Sequence, residues 1–182
     1  IALVIVFALP LCRRGIILSD EGYLLQQASD LLAGRVLYRD MDPFVTPGIL
    51  FLLAGLFALT GPSVIASRAL VLAAYLGLAL VGYRIVAPLS SRATGLFTVA
   101  GLLLFSVWAF PAWTFAFYSP FSVLFALAAL ERLLAWQKSS LRRDLLLTGV
   151  WLGLSICFKQ NYGAFALVGC GDKQEKTQVK LC

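Results

Sequence analysis

Three groups of residues in this 182-residue chain have types and spacings that could carry chemistry. The first is the adjacent carboxylate pair Asp20-Glu21, near the start of the polar stretch Ser19 to Met41, SDEGYLLQQASDLLAGRVLYRDM. Two acids side by side on an apolar surface can provide a tuned general base, because like charge and desolvation both raise a carboxylate pKa. The same pair would equally serve to answer the dipole at the start of a surface helix. The second group is Tyr38-Arg39-Asp40-Met41-Asp42-Pro43. A guanidinium grips phosphate oxygens in a bidentate manner, so Arg39 beside Asp40 and Asp42 suits an anionic headgroup; the plainer alternative is a polar turn between helices. The third is Lys159 of Lys159-Gln160-Asn161, which closes an apolar run. An ammonium at membrane depth is costly and so reads as a phosphate partner, although snorkelling to the interface also explains it. The aromatic turn 108–118 could stack sugar or prenyl groups, or form an interfacial belt.

The elements that must position these groups are oily. Hydrophobic residues make up 60% of the chain, charged residues 13%, histidine is absent and mean hydropathy is +0.89. Soluble domains carry about 25% charged residues. Long apolar runs with short basic or Pro/Gly punctuation imply an all-α fold, a polytopic transmembrane helical bundle, because in lipid each backbone polar group must be satisfied within its own helix. The net charge of +6 is spread between apolar runs rather than over one soluble face, so nucleic acid is not expected as a partner; membrane lipids are. Cys12, Cys157, Cys170 and Cys182 have no C-x-x-C spacing and no histidine to share a metal, so neither a metal nor a cofactor is expected.

Taken in order, 1–11 reads as a truncated first span. Within Ser19 to Met41, Ser19 is the expected N-cap and Gly34 the stop. Leu24, Leu25, Ala28, Leu31 and Leu32 recur at helical spacing, which predicts an amphipathic helix lying on the membrane surface. Residues 48–59 form an apolar run short enough to be interfacial or re-entrant, whereas counting 44–66 would give a span. Spans are predicted at 69–87, 94–110 and 121–136, with a basic loop at 137–144 and a further apolar run at 145–158. The chain opens on Ile1 inside an apolar run and changes composition after Gly169, which suggests a membrane domain over 1–168, truncated at both ends, and an atypical polar tail over 169–182.

One ordered set of features resembles a known family. An apolar helix is followed by Asp20-Glu21-Gly22-Tyr23, an amphipathic helix ending at Gly34, Val36-Leu37-Tyr38-Arg39-Asp40, then Pro47-Gly48 and a short apolar run ending in Gly61. This order is similar to the N-terminal part of GT-C membrane glycosyltransferases, in the branch of protein O-mannosyltransferases, lipid A aminoarabinose transferases and lipopolysaccharide galacturonosyl transferases. The resemblance covers about residues 1–168. It implies an inverting enzyme of the bacterial cytoplasmic membrane, with extracytoplasmic juxtamembrane amphipathic helices, that takes sugar from a polyprenyl-phosphate carrier and gives it to an extracytoplasmic lipid, glycan or protein. By the same resemblance Asp20 is the base with Glu21 beside it, Arg39, Asp40 and Asp42 hold donor or acceptor, and Lys159 faces the carrier phosphate. Several relatives carry an acid after the third span, where this chain has Tyr118-Ser119-Pro120.

Charge distribution pulls against that topology. With 48–59 on the outer surface and the Ser19 to Met41 loop outside, the basic residues up to Lys159 divide six inside and six outside; with 44–66 crossing, ten fall inside. The positive-inside rule prefers the second arrangement, and phosphate-binding cations in an active loop are a reason for it to be violated. A rival reading is a non-catalytic membrane protein, such as part of a transporter or flippase for lipid-linked sugars. Transporters place ionisable groups at mid-membrane, whereas the charges here cluster at helix ends.

Overall fold

The computed structural model describes residues 18–104 and 117–179. A π-helical turn, Leu18–Gly22, leads into seven α-helices: α1 Tyr23–Leu32, α2 Pro47–Thr60, α3 Val64–Leu89, α4 Arg92–Leu104, α5 Tyr118–Ser139, α6 Arg142–Phe158 and α7 Gln160–Val179. Among the described residues there is no strand beyond an isolated bridge between Leu37 and Met41. The expected truncated span at 1–11 and most of the aromatic turn 108–118 lie outside the described residues, as does the last part of the run predicted at 94–110.

Two helices, α3 and α5, are long and apolar enough to cross a membrane. At 1.5 Å per residue they measure roughly 39 and 33 Å against a hydrocarbon core of about 30 Å. They run parallel. Gly77 meets Leu124 and Arg84 meets Glu131, the second pair lying seven residues beyond the first on both helices. A Cβ at Gly77 would lie 3.1 Å from the Leu124 side chain, so glycine allows the close approach. Helix α6 turns back along α5: Phe125 stacks on Trp151, and Ser122 and Ser155 each donate to the other's carbonyl at 2.9 Å. Reciprocal hydroxyl bonds and small residues suit helix contacts in lipid, where apolar surface gains little by leaving the tails.

The ambiguity over 44–66 resolves into two helices. Helix α2 stops at Thr60, Gly61 takes φ +75°, and Ser63 caps α3 by accepting from the Ala66 N–H at 3.3 Å. At 14 residues α2 is roughly 21 Å long, too short to cross unaided. Its face of Ile49, Leu50, Leu53, Ala54 and Phe57 is buried. Leu24 and Ala28 of α1 join the same core, so the apolar stripe read as a membrane-facing surface is taken up largely by α2. Leu32, placed on that stripe by its spacing, is exposed. Ser19 is not the N-cap, because the π-helical turn feeds α1 with Gly22 already in helical conformation. Gly34, at φ +92°, does mark the stop.

The loop predicted at 137–144 is shorter than expected. Helix α5 continues through Lys138, α6 begins at Arg142, and Ser140 turns the chain in the left-handed region at φ 54°. Helix α7 continues to Val179 through the change in composition, since Lys, Gln and Glu are good helix formers. Large apolar side chains point outward on several helices, among them Leu59 at 86% exposure, Ile65, Phe97, Leu146 and Phe165.

Candidate functional site

The parallel course of α3 and α5, with α6 antiparallel to both, gathers distant parts of the sequence at one end of the bundle. The starts of α3 and α5, the end of α6 and the π-helical turn meet there. The start of α2 is locked on by the Thr46 hydroxyl, which donates to the Phe158 carbonyl, and by Gly48, whose absent side chain lets the Cys157 backbone approach.

Asp20 and Glu21, adjacent in sequence, part company in the structure. Asp20 is exposed. Glu21 is 1% exposed, and Arg68 of α3, 4% exposed, grips it through Nε–Oε1 at 2.8 Å and Nη2–Oε2 at 2.7 Å. A carboxylate so enclosed and doubly bonded is compensated in place, and it fixes the turn that presents Asp20. Residue chemistry read in sequence offered one carboxylate pair; the structure offers a surface acid and a buried anchor.

Lys159 occupies the junction between α6 and α7. Its backbone is extended, at φ −157° and ψ 104°, which interrupts the helix, and its side chain reaches the start of α5. Its Nζ donates to Ser119 Oγ at 3.1 Å and lies 4.1 Å from the Tyr162 ring centroid and 5.3 Å from that of Tyr118. Each such cation–π contact contributes about 0.5–2 kcal/mol, more as water is excluded. No carboxylate forms an ion pair with Lys159 among the described residues. Tyr118, Ser119, Lys159 and Tyr162 form one group of residues, and Asp20, in the π-helical turn, stands at the same end of the bundle.

The second predicted patch folds separately. Arg39 chelates its neighbour Asp40, Nε–Oδ1 and Nη2–Oδ2 both at 2.9 Å, and Asp40 Oδ2 also accepts from the Val36 N–H. The Arg39 guanidinium, then the Val36 N–H, hold the Asp40 carboxyl below its usual range. Tyr38 at the tip takes φ 63°, and its N–H donates to the Met41 carbonyl at 2.8 Å. Asp42 is exposed beside this turn. Among the described residues no contact joins Arg39, Asp40 or Asp42 to Asp20 or Lys159.

Sequence reasoning did not single out Arg68, Ser119 or Tyr162. Arg68 did leave a signal: a cation in the early turns of a helix opposes the helix dipole and calls for an acidic partner. Tyr162 stands three residues after Lys159, the spacing at which a residue capping a helix start and the third residue of that helix approach each other.

No known family, curated protein or solved structure matches this chain.

Proposed function

We propose that this protein is a membrane glycosyltransferase that moves a sugar from a polyprenyl-phosphate carrier to an extracytoplasmic acceptor hydroxyl, with inversion. The observation that carries the reading is Lys159, a half-buried ammonium held by a hydroxyl and two aromatic rings and lacking a carboxylate partner among the described residues. An anion fits there, and an exposed acid, Asp20, stands at the same end of the bundle. In the proposed reaction the acceptor oxygen attacks the anomeric carbon while Asp20 takes its proton. The bond from that carbon to the phosphate oxygen breaks, and the phosphate leaves with its charge on Lys159. Phosphate is a good leaving group, so no strong general acid is needed. Glu21 is assigned to anchoring the turn through Arg68, and Arg39, Asp40 and Asp42 to receiving donor or acceptor at the rim.

The test is transfer from a labelled polyprenyl-phosphate sugar in membranes holding the protein. Asp20→Asn should lower the rate by about 10²–10⁴-fold, the usual worth of a positioned base. Normal transfer by that variant would remove Asp20 from the mechanism. The interrupted helix at Lys159 also suits a transporter, since transporters bind substrate at helix breaks. Movement of the labelled lipid across proteoliposomes without any acceptor would favour that second reading.

A further inference from the structure

The opposite end of the bundle carries a different arrangement. A cleft of about 340 Å³ opens between the C-terminal ends of α3 and α5, lined by the polar groups of Arg84, Glu131, Arg132 and Lys138 and floored by apolar side chains such as Pro88 and Leu89. Because α3 and α5 are, among the described residues, the two helices long and apolar enough to cross a membrane, and run parallel, their shared end lies where a bilayer would give way to its headgroups.

Three cations and one carboxylate line the cleft, leaving it positive. Glu131 lies 3.9 Å from Arg84 and 3.2 Å from Arg132, and Arg132 also reaches Asp144 at 3.5 Å. These acids fix the positions of two guanidiniums without cancelling the whole charge. Arg84 stays 56% exposed on its side chain. Lys138 is exposed, and no carboxylate pairs with it among the described residues. Arg92, Arg142 and Arg143 begin the helices on either side, which deepens the positive field at this end. Leu89, which lines the same cleft, is exposed, so the cleft combines charged and apolar surface. Forked donors together with a point charge match the oxygens of a phosphodiester, and basic pockets between membrane helices take anionic lipid headgroups.

We propose that this cleft binds the headgroup of an anionic phospholipid, with the acyl chains lying along the exposed apolar surface beside Leu89. The site is independent of the glycosyl-transfer reading and lies at the other end of the molecule. A free phosphate ester shares the headgroup chemistry but lacks the chains.

The test uses the full chain in phosphatidylcholine nanodiscs, titrated with fluorescent phosphatidylglycerol. The native protein should retain the labelled lipid. Each basic residue near a membrane surface is worth about a fivefold change in affinity, so Lys138→Gln should weaken binding about fivefold and Arg84→Gln with Lys138→Gln about 25-fold. The paired Arg142→Gln and Arg143→Gln control, which lowers the general positive field without touching the cleft lining, should weaken binding clearly less than the paired cleft variant. Lys138→Gln alone keeps the proposal testable if the double variant fails to fold, because that side chain is exposed and has no ion pair among the described residues. Glycerophosphoglycerol should compete only weakly. Equal binding by native protein and Lys138→Gln, or equal loss in the control, would overturn the cleft as a site; full competition by the chainless ester would overturn a lipid as its occupant.

Discussion

Glu21 and Arg68, 47 residues apart in sequence, meet in a doubly hydrogen-bonded ion pair with almost no access to solvent. The two hydrogen bonds between them compensate the burial of both charges. Breaking a buried pair by removing one member typically costs about 3–5 kcal/mol. Arg68→Ala and Glu21→Gln should therefore both lower thermal stability in detergent, whereas Asp20→Asn, on the surface beside the pair, should change stability by less than about 0.5 kcal/mol. A Glu21→Gln protein as stable as the parent would show that the pair does not anchor the turn.

The end of the bundle that holds Lys159 depends on backbone approach at Gly48. A Cβ there would lie 2.7 Å from the Cys157 carbonyl oxygen and 2.8 Å from the Phe158 ring. Backbone cannot swing aside as a side chain can, so Gly48→Ala should push α2 away from α6 and cost about 1–3 kcal/mol. Gly55, in the same helix, has open space where its Cβ would stand. Gly55→Ala should be neutral or stabilise by up to about 1 kcal/mol through helix propensity. Unfolding measurements on the two variants side by side separate packing from propensity, and similar outcomes would argue against the close α2–α6 contact.

The Arg39–Asp40 turn makes a prediction about pH. The Asp40 carboxyl titrates below its ordinary value of 3.8 because Arg39 and the Val36 N–H favour the anion. A depressed folded pKa stabilises above the unfolded value, and that contribution is lost as pH falls through the folded pKa. The turn should thus hold at neutral pH and loosen only below the usual carboxylate range. Carbon-13 NMR of labelled aspartate should place the Asp40 midpoint below 3.8, and Arg39→Gln should move it upward. An unchanged midpoint in that variant would mean that the ion pair does not set the titration.

Much of this architecture is legible in the sequence wherever a single local force decides it. The apolar runs at 69–87 and 121–136 became α3, Val64–Leu89, and α5, Tyr118–Ser139, extended at both ends by residues that hydropathy alone undervalues. Gly34 and Gly61 marked stops because both sit at positive φ, where other residues are strained. What could not be read is pairing across distance. Nothing local in Asp20-Glu21 says which acid turns inward; that is decided by Arg68, delivered by another helix. Likewise Lys159 looked like a lone cation at a helix end, and only the antiparallel return of α6 beside α5 brings it to Ser119 and Tyr118. The stripe on α1 was correctly seen as apolar, but periodicity does not reveal whether lipid or α2 covers it.

Orientation in the membrane is the remaining relationship that the fold makes testable. Residues near Lys159 stand at one end of the α3–α5 pair, and the α5–α6 turn at Ser140 stands at the other. The glycosyl-transfer reading needs the first end outside and the second inside. The second end gathers Arg84, Arg92, Arg132, Lys138, Arg142 and Arg143, and cytoplasmic loops are enriched in such residues. In a background with the four native cysteines replaced by serine, Asn161→Cys, exposed beside Lys159, should react with a membrane-impermeant thiol reagent in intact cells. Ser140→Cys, exposed in the turn, should react only after the membrane is opened. The reverse pattern would place Asp20 and Lys159 in the cytoplasm, out of reach of an extracytoplasmic acceptor. Labelling of both in intact cells would mean that α5 does not cross.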